Sequence, residues 1–132
     1  MIVDSSAIVA IAQNEVEADR VVEALATAEL SRVSAGTWIE LTAVAIRRKL
    51  FEVTWLERIA RAYELVIEPV TPEQARIGQQ AYARFGQGTG HPARLNFGDC
   101  FSYALAKATG EPLLFKGDDF IHTDIKPALP PT

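Results

Sequence analysis

Short apolar segments alternate with longer amphipathic segments along the 132 residues of this chain, and this alternation leaves few folds open. The apolar segments predict strands at residues 2–3, 32–34, 65–67 and 112–115. Apolar residues at helical spacing predict helices at residues 7–12, 17–30, 35–49, 54–63, 71–85 and 96–108. Strands and helices in alternation build a parallel sheet with helices on both faces. We therefore predict an α/β fold.

Several helix starts carry capping residues. Ser5 or Ser6 is predicted to cap the first helix, which would free the preceding acid for another role. Thr54 is predicted to cap the fourth helix, and Thr71 followed by Pro72 is a strong start for the fifth. The third helix is predicted to bury one stripe of apolar side chains, made of Trp38, Leu41, Ala45 and Ile46.

The size and composition of the chain fit one domain, which we predict to cover residues 1–132. The single Cys100 excludes an intramolecular disulfide and zinc binding through cysteines. No signal-peptide pattern or membrane-spanning stretch is visible, so a cytoplasmic protein is predicted. The net charge of −4 argues against a general nucleic-acid coat protein. The proline-rich tail at 127–132 is predicted to be irregular.

Four carboxylates lie where an apolar segment ends or inside a helix that follows one. Asp4 follows the first strand, Glu40 lies in the third helix, Asp99 lies in the sixth, and Asp119 follows the fourth strand. Ligands of open α/β sheets bind at the carboxyl ends of the strands, so Asp4 and Asp119 are predicted to meet there. Four acids in one pocket stay ionised only with cations. Oxygen-only ligands of this kind favour Mg²⁺ or Mn²⁺.

Each of these acids also has a structural interpretation. Asp4 sits at a strand–helix junction, where it can cap the helix. Asp99 stands three residues after Asn96, which is the spacing of a capping box. This role is compatible with metal binding by Asp99. Glu40 can be in its helix simply because glutamate is a good helix former.

The identity of the fourth acid stays open between three aspartates. Asp119, the second of the two adjacent aspartates in the segment PLLFKGDDF, is preferred. Its neighbour Asp118 can equally be the one in the site, with the other capping the turn. Asp124 is a further candidate a few residues along the chain.

Other reactive residues form weaker patterns. His91 and His122 are isolated, so a zinc site is not predicted. Cys100 is predicted to be a small, buried helix residue. The glycine-rich segment 86–90 lacks the Gly-Lys-Ser/Thr of a phosphate loop and is predicted to be a flexible surface loop. One set of basic residues fits either solvated helix faces or phosphate contacts: Arg47, Arg48, Lys49, Arg58 and Arg61.

The segments MIVDSSA, NFGDCFSYALAK, PLLFKGDDF and HTDI, with an acid near residue 40, together resemble the PIN-domain ribonucleases. More narrowly, they resemble the VapC-type toxins of bacterial type II toxin–antitoxin pairs. The resemblance covers nearly the whole chain and implies a three-layer α/β/α sandwich with a short parallel sheet of about four to five strands. It also implies that Asp4, Glu40, Asp99 and Asp119 form a catalytic pocket that binds Mg²⁺ or Mn²⁺. Ser6 retains the hydroxyl that the family carries two residues after its first acid.

The resemblance implies an endoribonuclease, and the chemistry of the acids agrees with it. A metal-activated water is expected to attack the phosphodiester in line and to leave a 5′-phosphate and a 3′-hydroxyl. An open pocket fits single-stranded or looped RNA, and the resemblance implies tRNA or ribosomal RNA. It further implies a homodimer that is neutralised by a VapB-type antitoxin, which inserts a segment near the acidic pocket.

Two rival interpretations remain at this point. A phosphatase with an aspartyl nucleophile would also place an acid after the first strand, although its usual second acid, two residues later, is replaced here by Ser6. A non-catalytic module with an acidic pocket would bind a basic peptide without metal or turnover. It has no need of four carboxylates in a shared pocket.

Overall fold

A computed structural model describes residues 1–130 of the chain. Its elements follow one another as β1 (Ile2–Val3), α1 (Ser5–Ala12), α2 (Ala18–Thr27), β2 (Arg32–Ser34), α3 (Ala35–Arg48), α4 (Val53–Ala62), β3 (Val66–Glu68), α5 (Pro72–Phe85), α6 (Asp99–Thr109) and β4 (Leu113–Leu114). Within these residues the chain alternates strands and helices as predicted.

The four strands form one parallel sheet in the order β3-β2-β1-β4. Strand β1 lies in the interior of the sheet, where Ile2 pairs with Arg32 on one side and with Leu113 on the other. All strands point in one direction, so their carboxyl ends meet at one edge. The predicted α/β fold is confirmed.

Two hydrophobic cores lie on opposite faces of this sheet because successive strand residues point to opposite sides. Ile2 and Leu113 pack into a core with buried residues of α5 and α6. Val3 and Leu114 pack into a second core with buried residues of α1, α2, α3 and α4. The sheet therefore forms the middle of three layers, which places the carboxyl end of β1 between two helical layers.

The structure corrects several local predictions. The side chain of Asp4, rather than Ser5 or Ser6, caps α1 and accepts a hydrogen bond from the Ser6 N–H. Helix α4 begins at Val53, so Thr54 is inside its first turn rather than at its cap. The cap of α5 by Thr71 is confirmed.

The predicted apolar stripe of α3 is wrong at one position. Leu41 and Ala45 are buried and Trp38 packs against the second core, but Ile46 is 66% exposed. The buried face of α3 includes Thr37 instead of Ile46, and the side chain of Thr37 is fully buried.

The chain beyond β4 is less irregular than predicted. Pro127 forms an isolated parallel bridge with Leu113, and the N–H of Ala128 donates to the Leu113 carbonyl at 2.8 Å. The rest of the predicted tail, residues 131–132, lies outside the described residues. Within residues 1–130, no helix has both the length and the apolar character needed to cross a membrane.

Candidate active site

The candidate site lies at the carboxyl edge of the sheet, where Asp4 follows β1 and the loop with Asp119 follows β4. Helix α3 brings Glu40 to this edge and α6 brings Asp99. The electrostatic repulsion of Asp4 raises the pKa of each of the other three acids, which is consistent with the predicted convergence. The predicted convergence of strand ends thus gathers residues that are far apart in sequence.

Asp4 is the most rigidly held acid of the site. Its Oδ2 accepts hydrogen bonds from the Ser6 N–H at 3.1 Å and from the Ser6 hydroxyl at 2.7 Å. Its Oδ1 accepts the Ser102 hydroxyl at 2.5 Å. The carboxylate is almost fully buried. Asp4 therefore both caps α1 and faces the site, and its two roles coexist.

Ser102 and Thr37 complete the support of Asp4, and the sequence analysis missed both. Their hydroxyl oxygens lie 3.2 Å apart in a fully buried position. Because Ser102 donates its only hydroxyl proton to Asp4, Thr37 is the donor to Ser102. A signal was available, since Ser102 stands three residues after Asp99 and Thr37 three residues before Glu40, on the same helix faces.

Asp99 forms the predicted capping box with Asn96. The Asp99 N–H donates to Asn96 Oδ1 at 2.9 Å, and the Asn96 N–H donates to Asp99 Oδ2 at 3.0 Å. Burial and the charges of Asp4, Asp119 and Glu40 nevertheless raise the pKa of Asp99 to about 7. The capping hydrogen bond from Asn96 lowers this pKa, but burial and the neighbouring charges outweigh it.

Glu40 reaches the site because Gly98 leaves room for it. A Cβ placed on Gly98 would lie 1.5 Å from Glu40 Oε2, so a larger residue there would push the carboxylate away. Burial raises the pKa of Glu40, with a further contribution from Asp4, while the Ser5 hydroxyl and Arg47 oppose the shift. Glu40 is thus a partly buried acid and not only a helix former.

The three candidates for the fourth acid have different surroundings in the structure. Asp119 lies near the other acids, and burial together with the charge of Asp4 raises its pKa, while Arg94 opposes this. Asp118 is exposed and acts on the site only through Asp119. Asp124 is engaged elsewhere, with the Tyr103 hydroxyl at 2.6 Å and Lys107 Nζ at 3.0 Å.

The donor set of this site fits a hard divalent cation. It offers carboxylate oxygens alone, and burial together with the neighbouring carboxylates raises the pKa of Asp99 to about 7. Among residues 1–130, no three His, Cys, Asp or Glu side chains already stand in metal-holding geometry. The fit therefore rests on the donor chemistry and on the excess charge.

The remaining reactive residues have structural surroundings. His91 Nδ1 accepts the Ala93 N–H, and its ring packs edge-on against Phe85. Burial raises the pKa of Cys100 to about 11, so its thiol is a poor nucleophile. Gly88 and Gly90 adopt positive φ angles in an exposed turn, as expected of a surface loop.

Comparison with known proteins agrees with this architecture. The protein-family model of the PIN domain matches residues 1–126 of this chain. Ribonuclease VapC42 of Mycobacterium tuberculosis is 54% identical over 129 residues, which cover 97% of this chain and 98% of that protein. Ribonuclease VapC28 of the same organism is 48% identical and covers 98% of each chain. The chain therefore belongs to the PIN-domain family. Within that family it groups with the VapC ribonucleases.

Two solved structures share the fold. The crystal structure of Mycobacterium tuberculosis VapC20, a toxin that cleaves the sarcin-ricin loop, superposes with a TM-score of 0.65 at 20% identity, over 94% of this chain and 95% of that chain. A toxin–antitoxin complex from Klebsiella pneumoniae gives a TM-score of 0.64 at 18% identity, over 90% of this chain and 88% of that chain. These comparisons support the three-layer arrangement derived above.

Proposed function

We propose that this protein is a metal-dependent endoribonuclease toxin whose active site is the pocket of Asp4, Glu40, Asp99 and Asp119. The observation that carries the proposal is the convergence of these acids, with the pKa of Asp99 raised to about 7 by burial and by its neighbours. The named activity of the VapC relatives, which are ribonucleases, supports the same reaction.

The four acids would have different roles, because they are buried to different depths. Asp4 and Asp99 are buried, Glu40 is half-buried and Asp119 is exposed, so the pocket has a fixed floor and an open rim. These residues would hold Mg²⁺ or Mn²⁺, which when bound lowers the pKa of water and neutralises charge on the phosphoryl oxygens. Asp119 at the rim is the acid that the RNA backbone would meet first.

Two arginines flank the acids and offer contacts for the substrate. The charge of Arg94 acts on Asp119, and the charge of Arg47 acts on Glu40. Both side chains are exposed. We propose that they contact phosphates on either side of the cleaved bond, which gives the basic group around Arg47 a function. The substrate we propose is single-stranded or looped tRNA or ribosomal RNA. Because these RNAs act in translation, we propose that the reaction takes place in the cytoplasm.

Removal of metal tests this proposal most directly. Purified protein is expected to cut total cellular RNA into discrete fragments in Mg²⁺ or Mn²⁺, with 5′-phosphate and 3′-hydroxyl ends, and to cut none in EDTA. Gel analysis followed by end mapping measures both results. Cleavage that continues in EDTA would contradict the metal requirement. Intact RNA in every metal would contradict the nuclease.

An antitoxin of the VapB type is the proposed protein partner. A pocket that concentrates four acids is complementary to a basic segment, which would neutralise it in place of a cation. Binding of such a segment would also close the route of the RNA backbone to Asp119. One partner would thus block the metal site and the substrate path together.

We also propose that the protein is a homodimer, and α3 offers an apolar surface for the contact. Ile39 and Ile46 are 70% and 66% exposed and stand on one face of the helix. The double substitution Ile39→Asp and Ile46→Asp is expected to convert a dimer into a folded monomer, measured by light scattering. Val16→Asp, at a 95% exposed position, is the matched control and should leave the mass unchanged. A wild-type monomer would contradict the proposal.

A further inference from the structure

An apolar groove of about 480 Å³ lies between α5 and α6, beside the first turn of α6 that carries Asp99. Its walls include three aromatic rings, those of Tyr82, Phe97 and Phe101. Small residues such as Gly78 line the space between them. The four acids do not line the groove. Phe97 does line it and stands two residues before Asp99 in the sequence, so it lies between the groove and the acidic pocket.

One polar atom in the wall of this groove is shielded from solvent and has no partner. Gln74 is 7% exposed and lines the groove, and among the described residues its Oε1 accepts no hydrogen bond. The sequence Thr71-Pro72-Glu73-Gln74 would allow a full capping box, in which the glutamine bonds back to the Thr71 N–H. Only the half from the Gln74 N–H to Thr71 Oγ1 is formed, at 3.1 Å. A buried acceptor left in this state costs free energy unless a ligand satisfies it.

The aromatic wall is built on a firm support. Phe97 is 65% exposed, and its ring lies 5.1 Å from that of Phe101. Phe101 in turn packs tightly over Gly36, where a Cβ would collide with the ring. A large exposed aromatic ring held in place in this way presents a flat apolar face next to the active site. Such faces bind unpaired nucleobases by stacking.

We propose that this groove holds one unpaired nucleobase of the RNA strand that enters the acidic pocket. The base stacks on Phe97. A rotation of the Gln74 side chain brings its Oε1, which is shielded from solvent in the structure, to the exocyclic amino group of the base, and the amino group donates a hydrogen bond to it. Gln74 is then a specificity-determining residue, since uracil lacks an exocyclic amino group. This inference rests on the proposed function, because it assigns part of the same substrate. A base held here would fix the position of its adjoining phosphate relative to Asp99.

The test uses the full chain with Asp99→Asn, so that the RNA is not cut, in the presence of Mg²⁺. The probe is hexauridylate with one 2-aminopurine, whose fluorescence falls when the base stacks. Unlabelled hexamers with adenosine or with purine riboside, which lacks the amino group, compete for the site. Adenosine is expected to compete about three- to tenfold better, the effect of one hydrogen bond. Adding Gln74→Leu should abolish this difference, and Phe97→Ala should abolish the quenching. Gln80→Leu, on the exposed side of α5, should change neither.

Three results would overturn the inference. The first is an absence of quenching, and the second is a preference for adenosine that survives Gln74→Leu. The third is a change of oligomeric mass on Gln74→Leu, which would identify the groove as a contact between copies. The cleavage assay on wild-type protein tests the proposed function separately. Cleavage without amino-group discrimination would reject the groove alone. Discrimination without cleavage would reject the nuclease and leave the groove as an RNA-binding site.

Discussion

Asp99→Asn is expected to lower the rate of RNA cleavage by at least about 10²-fold while the protein stays folded. Even partners that only support metal ligands cost about 10- to 100-fold when they are lost, and Asp99 is proposed to be a ligand itself. The fold is retained because asparagine keeps an acceptor for the Asn96 N–H, which bonds Asp99 Oδ2 at 3.0 Å. Initial rates on a fragment of mapped target RNA, with circular dichroism of both proteins, measure the two effects.

Asp124→Asn is the matched control for this variant. Asp124 is also an aspartate that contacts α6, but its partners are Lys107 and Tyr103 rather than residues of the pocket. Its substitution should change the cleavage rate by less than about threefold, although it loosens the contact with α6. Equal losses from the two substitutions would show that the site assignment is wrong.

Asp99 is a better target for substitution than Asp4, because Asp4 has a structural role that the sequence-based prediction gave to Ser5 or Ser6. Ser5 or Ser6 was expected to cap α1 because hydroxyl residues are frequent caps, and Asp4 was therefore expected to be free. In the structure Asp4 is the cap and also accepts Ser102. Substituting Asp4 would alter the start of a helix and a buried hydrogen bond together with the charge. Asp99 gives the cleaner test.

The sequence predicts the layers and the site edge well because both depend on local patterns. Alternation of strands and helices implies a parallel sheet, and a parallel sheet places the residues after β1 and β4 at one edge. The convergence of Asp4 with Asp119 follows from that geometry. Which face of α3 is buried does not follow, because the exposure of Ile46 and the burial of Thr37 depend on how α3 packs against the sheet and the neighbouring helices.

Long-range polar contacts are the part that sequence patterns leave undetermined. The bond between Ser102 and Asp4 joins residues that are 98 positions apart, and no periodicity marks it. The sequence also does not predict that Gly98 leaves space for Glu40, because the local pattern around this glycine indicates only a turn. These contacts depend on how α3 and α6 approach each other, which is a property of the assembled fold.

The stability of the metal-free protein is expected to fall as the pH rises from about 5 to about 8. In the unfolded chain the carboxyl of Asp99 loses its proton near 3.8, whereas in the folded protein its pKa is raised to about 7 by burial and by the neighbouring acids. The folded state therefore binds the proton more tightly, and the stability it gains is lost as the pH passes through the folded pKa. From pH 5 upward, this effect amounts to at most about 3 kcal/mol. Glu40 and Asp119, whose pKa values are also raised, act in the same direction.

Urea unfolding in EDTA, followed by the fluorescence of Trp38 and Trp55, measures this slope. The stability of Asp99→Asn should fall less steeply over the same range, since only Glu40 and Asp119 still contribute. Near pH 8 this variant should be more stable than wild type because a buried charge has been removed. Mg²⁺ should stabilise the wild type near pH 8 and have a smaller effect near pH 5, where the carboxyl of Asp99 keeps its proton. The acids with lowered pKa values, Glu111 and Asp124, act below this window. If the free energy of unfolding depends on pH equally in wild type and in Asp99→Asn, Asp99 is not the group that titrates. The charge of the pocket would then be balanced without a cation.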